Sequence, residues 1–391
     1  MTRPLLNRRL TGMGTTIFAE MSALAVATDS INLGQGFPDT DGPAEIARVA
    51  ADAVLAGRGN QYPPGPGVPE LRQAIAAHQK RFYGLEVDPD TEVLVTAGAT
   101  EAIAATMLAL LEPGDEVIAF EPYYDSYAAS IAMAGATRVP VTLRPPAFRP
   151  DLDVLRDAVT SRTRLILVNS PHNPTGMVLS RAELTEIARL AVERDLIVVT
   201  DEVYEHIVFE GEHIPITTLP GMAERTVTIS SAGKTFSFTG WKVGWVTGTA
   251  ALVTAVRTTK QFLTFVSSGP FQYAVAAGLG MPDSFYGELA GGLRRRRDLL
   301  AAGLTAAGFD AFTPHGTYFI TTDIAALGAD DGLAFCRDLP RRCGVVAVPN
   351  AVFYDDAQAG RTQVRFAFCK REEQLREAAR RLQQAFRPAD S

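Results

Sequence analysis

From about residue 92 to residue 247 the chain alternates short, β-branched apolar runs with longer stretches of helical period. The runs fall at 92–96, 116–120, 138–142, 164–169, 196–200, 226–230 and 243–247. Helix-period segments separate several of them, as at 100–111 and 181–194. Strands that are apolar along their whole length and spaced by helices predict a mostly parallel sheet covered on both faces. Seven such runs predict one large doubly wound α/β domain.

After about residue 289 the texture changes. A long arginine-rich helix is predicted first, then short strands at 317–321, 345–348 and 364–368. A last helix carries Leu375, Ala378, Ala379, Leu382 and Phe386 at spacings of three, four and seven. These elements predict a smaller α+β domain. The first 35 or so residues show no strand–helix unit of their own, so they are expected to form an arm that completes it. The expected division is an arm at 1–35, a large domain at 36–288 and a small domain at 289–391. Pro63-Pro64-Gly65-Pro66-Gly67 reads as a stiff loop inside the large domain.

Composition supports a large core. Of 391 residues 47% are hydrophobic and 21% charged, and mean hydropathy is +0.05, which excludes wholesale disorder. Lysine and arginine number 37 against 44 acidic residues, a net charge of −7, so adhesion to DNA or to an anionic membrane is not the expected business. The one basic cluster, four arginines at 294–297, is expected to be a solvated or interface-pairing helix face. The longest uncharged stretch, 261–282, contains Ser267-Ser268-Gly269-Pro270 and two glutamines, unlike a lipid-facing helix. Arg8 and Arg9 are followed by Glu20 before any apolar core accumulates, so no signal peptide is expected. Cys336, Cys343 and Cys369 match neither a disulfide framework nor a zinc spacing, and the five histidines include no HExxH pair. A reduced, cytoplasmic, metal-free protein is the expectation.

Three residues carry the chemical argument. Asn173 lies just past one predicted strand, Asp201 follows 28 residues later at the end of the next, and Lys234 another 33 residues on. A βαβ unit takes about 30 residues, so each step is one unit. All three side chains are therefore delivered to the carboxyl ends of strands, where open α/β sheets bind ligands. A lysine amine reacts only when unprotonated, which demands a partly desolvated site or a neighbouring positive charge. A carboxylate at the end of an apolar strand is costly without a cationic partner, unless Asp201 caps the segment that follows. Gly98-Ala99-Thr100 precedes a predicted helix, whose free amides form an anion site. Arg365 lies on the strand face opposite Val364, Phe366 and Phe368 and needs an anion, either an internal carboxylate or a ligand's. Gly233-Lys234-Thr235 does not end a P-loop, because position 228 is threonine. Gly34-x-Gly36 and Gly65-x-Gly67 run into proline where a dinucleotide-binding helix would open.

The local motifs are more specific. Ser231-Ala232-Gly233-Lys234-Thr235-Phe236, Thr239-Gly240-Trp241-Lys242-Val243-Gly244-Trp245, His172-Asn173-Pro174-Thr175-Gly176 and Asp201-Glu202-Val203-Tyr204 are found in the middle of the chain. Asn32-Leu33-Gly34-Gln35-Gly36-Phe37-Pro38-Asp39, Asn60-Gln61-Tyr62, Gly98-Ala99-Thr100-Glu101 and Glu121-Pro122-Tyr123-Tyr124 precede them, and Val364-Arg365-Phe366 follows. Over nearly its whole length the chain resembles the class I pyridoxal-phosphate aminotransferases of fold type I. Within that family it most resembles the actinobacterial succinyldiaminopimelate aminotransferases and the kynurenine/glutamine and methionine aminotransferases.

The resemblance implies pyridoxal 5′-phosphate as cofactor and a role for each matching residue. Lys234 joins the cofactor aldehyde and then moves the substrate proton. Asp201 pairs with the pyridine nitrogen, while Tyr204 and Asn173 bond the 3′ oxygen. Gly98, Ala99, Thr100, Ser231 and Lys242 hold the phosphate, joined by Tyr62 from a partner subunit, which implies a homodimer with shared sites. Tyr123 stacks on the ring, and Arg365 takes the substrate α-carboxylate. Gly36 and Phe18 line the substrate side, together with Asn173. The implied reaction is ping-pong transfer between an L-amino acid and a 2-oxo acid, with N-succinyl-LL-2,6-diaminopimelate and 2-oxoglutarate as the favoured pair. Alternatives are a kynurenine-, glutamine- or methionine-type specificity, and β-elimination as in cysteine-conjugate lyases. A cofactor-sensing regulator would need a fused DNA-binding module, and only about 35 residues precede the first motif.

Overall fold

The computed structural model describes residues 5–14 and 16–386. The first strand, β1 (Ile31–Asn32), stands apart from the next seven. These are β2 (Val93–Thr96), β3 (Glu116–Glu121), β4 (Thr137–Thr142), β5 (Thr163–Asn169), β6 (Ile197–Asp201), β7 (Thr226–Ser231) and β8 (Gly244–Thr247). They form one sheet in the order β2-β8-β7-β6-β5-β3-β4. Only β8 runs antiparallel to its neighbours, so the mostly parallel seven-stranded sheet expected from the sequence is present.

Both faces of this sheet are covered, which is why its inner strands are buried along nearly their whole length, while the edge strand β4 is partly exposed. On one face Ile118, Ile166, Val168 and Val198 pack against Leu184, Ile187 and Leu190 of the helix Arg181–Glu193. On the other, Val117, Leu165, Leu167, Val199 and Ile229 meet Ile103 and Met107 of the helix Gly98–Leu110 and Val253 and Val256 of the helix Ala250–Leu263. Strand order reverses between β3 and β5, because β4 returns to the outer side of β3. That reversal opens a crevice at the carboxyl ends of the strands. Asn169, Asp201 and Ser231 end β5, β6 and β7, three adjacent strands, with Asn169 directly opposite Asp201.

The remaining strands are β9 (Asp310–Phe312), β10 (Phe319–Asp323), β11 (Val345–Val346), β12 (Val348–Pro349) and β13 (Gln363–Ala367). An antiparallel sheet β12-β13-β10-β9 carries Arg365 near its middle, opposite Thr321 on one side and Val348 on the other. The single strand expected at 345–348 is divided: β11 pairs in parallel with β1, and β12 pairs with β13. The three-residue β9 is too short to show a period, and the sequence did not predict it. Before residue 35 the chain is not free of regular structure either. It forms a helix, Ile17–Ala27, capped by the Thr16 hydroxyl. That segment is apolar or alanine at nearly every position, so it has no polar face to mark a helical period. Met21, Ala25 and Leu33 share one buried core with Leu300, Leu304, Phe366, Leu375 and Leu382.

The arginine run needs a correction at one position. In the helix Asp283–Ala306, Leu293, Arg297, Leu300 and Leu304 form one buried stripe at spacings of four, three and four. Arg294 and Arg295 are exposed as expected. Arg297 is buried and donates to Glu210 Oε1 at 3.1 Å, to the Pro314 carbonyl at 2.9 Å and to Asp298. Among the described residues no helix is long and apolar enough to cross a membrane, and the three cysteines are free.

Candidate active site

A cavity of about 290 Å³ opens at the carboxyl ends of β5, β6 and β7. Twelve of the fourteen residues singled out from the sequence line it: Phe18, Gly36, Gly98, Ala99, Thr100, Asn173, Asp201, Tyr204, Ser231, Lys234, Lys242 and Arg365. Tyr123 and Tyr62 do not.

Lys234 sits in the short helix Ala232–Thr235 that follows β7. Its Nζ lies 5.8 Å from the ring centroid of Tyr204 and 5.7 Å from that of Tyr318. Burial of the amine brings its pKa down to about 8. Roughly one molecule in ten then carries a free amine at pH 7, against a few in ten thousand at the ordinary value.

Asp201 is 4% exposed. Tyr127 donates its hydroxyl to Oδ2 at 2.6 Å, the Val203 amide donates to Oδ1 at 3.3 Å, and Asn169 donates to the Asp201 carbonyl at 2.8 Å. Burial pushes the carboxyl above its ordinary range, and Tyr127, the Val203 amide and the charge of Lys234 act in the opposite direction. An acid so placed favours a cationic partner in the cavity.

Two segments build the walls for an anion. The helix Gly98–Leu110 begins at the cavity with no side-chain cap on its amides. Gly98 has φ +73°, and a Cβ there would lie 3.1 Å from Lys242 Nζ, so glycine keeps this space open. Lys242 reaches Thr100 Oγ1 at 3.5 Å from a left-handed backbone position, φ +53°. Free amides at a helix start, a lysine and the Ser231 and Thr100 hydroxyls are a donor set suited to a phosphate.

Arg365 is 1% exposed, and no carboxylate lies within ion-pair distance of it among the described residues. Nη1 donates to Asn173 Oδ1 at 2.9 Å and Nη2 to the Gly34 carbonyl at 3.1 Å, while Nε has no partner. Phe319 lies under the guanidinium at 4.0 Å, with Phe18 and Phe353 at 5.2 and 5.3 Å. Burial lowers its pKa to about 10, which still leaves it a cation at neutral pH. Among the described residues the internal salt bridge left open by the sequence is not made. A buried cation bonded only to neutral oxygens is suited to an incoming carboxylate. Gly36 is pinned by Tyr318, whose hydroxyl donates to its carbonyl at 2.5 Å, and a Cβ at Gly36 would run into the Phe319 ring.

Tyr123 is corrected. Its ring turns away from the cavity; the hydroxyl accepts from Arg138 Nε at 2.9 Å and donates to Asp355, and its amide donates to the Phe353 carbonyl. Tyr124, the next residue, lines the cavity instead. In a turn between strand and helix, which neighbour faces the ligand depends on tertiary contacts that neither period predicts. Tyr62 is 82% exposed and stands edge-on to Phe265 at 5.5 Å, outside its own chain's cavity. Sequence reasoning missed Tyr124, Tyr127, Asn169, Gln35 and Phe319. The available signals were the three-residue spacing of Tyr124 and Tyr127 and the polar Asn169 closing an apolar strand. Outside the cavity, His78, Glu205 and His206 group closely, but His78 Nε2 and His206 Nε2 bond each other at 2.7 Å and Glu205 is held by Ser230 and Tyr83.

Comparison with known proteins gives a consistent picture. Residues 28–382 match the family model described as aminotransferase class I and II. A probable N-succinyldiaminopimelate aminotransferase of Mycobacterium tuberculosis is 54% identical over 385 residues, covering 96% of this chain and 97% of the relative. The methionine aminotransferase of Escherichia coli K12 is 41% identical over 377 residues, covering 96% and 97%. The solved structure of the N-succinyldiaminopimelate aminotransferase from Mycobacterium tuberculosis superposes with a TM-score of 0.95 at 54% identity, covering 97% of this chain and 100% of that one.

Proposed function

We infer the reaction from a premise now in hand: the chain belongs to the class I and II aminotransferases, pyridoxal-phosphate enzymes of fold type I that move an amino group between an amino acid and a 2-oxo acid. Bound pyridoxal phosphate supplies an aldehyde that joins amines and a ring that draws electrons from the adjacent carbon. Within that chemistry we assign Lys234 to attachment and to moving the proton at substrate Cα. Asp201 keeps the ring nitrogen protonated. Tyr204 and Asn173 bond the 3′ oxygen, and Gly98, Ala99, Thr100, Ser231 and Lys242 hold the phosphate. Tyr124 takes the ring-facing role first given to Tyr123. Arg365 binds the α-carboxylate, flanked by Gly36 and Phe18.

One observation supports these roles above all. A depressed amine, a buried acid and a buried arginine without a carboxylate partner border one cavity.

The favoured substrate pair is N-succinyl-LL-2,6-diaminopimelate and 2-oxoglutarate, supported by the 54% identity to a relative named for the succinyl compound. A second reading, an uncharged side chain as in methionine, is favoured by the lining itself. Its described cations are Lys234, Lys242 and Arg365, each already assigned, and its remaining wall includes Phe18, Gln35, Tyr124 and Phe319. A panel of amino donors and 2-oxo acids, read by the visible absorption of the bound cofactor, separates the two. The succinyl compound is expected to exceed methionine and kynurenine by about tenfold or more in kcat/KM, a margin of about 1.4 kcal/mol. The reverse order would establish the second reading.

The assembly we propose is a homodimer in which Tyr62 reaches the partner's phosphate site. Supporting this, Leu55, Tyr62 and Phe262 are each more than four-fifths exposed. The division at 1–35, 36–288 and 289–391 belongs to the same proposal, supported by the core that the first and last segments share. So does a cytoplasmic location, supported by three unpaired cysteines.

Replacing Arg365 by alanine is expected to lower kcat/KM roughly 100- to 1000-fold through KM, since two charge-assisted hydrogen bonds to the substrate are lost. The cofactor's absorption spectrum should be unchanged. A collapsed spectrum would instead make Arg365 a structural residue.

A further inference from the structure

The carboxylate of Asp201 is held from below. Tyr127 belongs to the helix Asp125–Ala134, one turn beyond Tyr124, and both rings border the cavity. They meet edge to face with centroids 5.8 Å apart at 88°. Tyr127 is 3% exposed, and its hydroxyl donates to Asp201 Oδ2 at 2.6 Å, its one hydrogen bond among the described residues. Burial and the adjoining carboxylate push the phenol well above its ordinary value, so it stays a donor throughout the working pH range. A buried carboxyl without such a donor tends to take up a proton. One that has protonated can no longer hold a proton on a ring nitrogen facing it.

We propose that Tyr127 is a positioning residue for amino transfer: its hydrogen bond orients the Asp201 carboxylate and keeps it ionised toward the cofactor's ring nitrogen. The inference rests on the assignment of Asp201 made above. Tyr124, which caps the start of the helix, and Tyr127, in its first turn, then act as a pair, the first bordering the ring and the second securing the acid. This gives a reason for tyrosine at 127, where packing alone would accept phenylalanine.

The consequence is readable without turnover. With the hydroxyl gone, Asp201 takes the ring proton more readily, and the positive charge felt at the Lys234 linkage falls. That linkage nitrogen then protonates more easily, so the pH midpoint of the cofactor's visible absorption moves up.

The test compares wild-type holoenzyme with Tyr127→Phe, Asp201→Asn and the double variant. Tyr127→Phe is expected to raise the midpoint by about half a unit to one unit and to lower kcat roughly tenfold, with KM for the amino donor within about twofold. In the Asp201→Asn background the same change should add less than about twofold. 3-Fluorotyrosine at position 127, a stronger donor of the same shape, should move the midpoint the other way and keeps the test open if the phenylalanine variant folds poorly. An unchanged midpoint in folded Tyr127→Phe, or an equal loss of kcat with and without Asp201, would overturn the proposal. If Asp201→Asn itself leaves the midpoint unmoved, the parent assignment of Asp201 falls, and the inference falls with it.

Discussion

Lys234→Ala is expected to lower amino transfer by on the order of 10⁴-fold and to leave a folded protein that holds the cofactor only non-covalently. The loss combines the covalent attachment with the proton-moving amine, each of them a large part of the barrier. The environment gives this prediction a pH signature. Burial brings the Lys234 amine to about 8, and a group lowered in this way gains its reactive, neutral form as pH rises through that value. Attachment of added cofactor to the apoprotein should therefore quicken about tenfold between pH 7 and 9 and then level off. A rate still climbing beyond pH 10 would mean that the amine is as solvated as any surface lysine. The cavity would then lack the desolvation on which the account depends.

Asp201→Ala is the second large effect expected. A ring whose nitrogen loses its carboxylate holds its proton less firmly and draws electrons less strongly. Removing one such electrostatic partner costs about 10²- to 10³-fold in kcat. Stability should suffer far less. The Tyr127 hydroxyl and the Val203 amide lose their acceptor, which costs about 1–3 kcal/mol and a few degrees in Tm. Circular dichroism melting beside steady-state kinetics distinguishes the two roles. A protein that loses folding and activity together would make Asp201 a structural acid.

Much of this was legible in the chain because two periodicities coincide with chemistry. The inner strands of the large sheet are buried on both faces, and only the edge strand β4 is largely open, so β-branched runs betray them, and the residues at or just past their ends must face the crevice. Asn173, Asp201 and Lys234 are found in this way without any homologue. Arg365 was legible for a related reason: an arginine inside the apolar run of β13 needed an anion, and among the described residues no internal carboxylate supplies it.

What escaped depends on tertiary contacts. Tyr123 and Tyr124 are adjacent tyrosines in a turn, and the choice between them is made by Arg138 and Asp355, which draw Tyr123 away. Arg297 stands in a helical stripe of leucines, and its burial is explained by Glu210 and the Pro314 carbonyl, neither of them near it in sequence. The run at 345–348 divides between two sheets because β1, more than 300 residues away, pairs with its first half. The helix Ile17–Ala27 is apolar or alanine at all but Glu20 and Ser22 and so shows no clear period. Tyr127 reads as an ordinary core aromatic until the carboxylate at the end of β6 is placed against it.

The most direct test is chemical. Reduction of the purified holoenzyme with borohydride, followed by digestion and mass spectrometry, should find a pyridoxyl group on the peptide that carries Lys234 and on no other. A reduced protein without that mass increment, or with it on a different lysine, would contradict the account at its root.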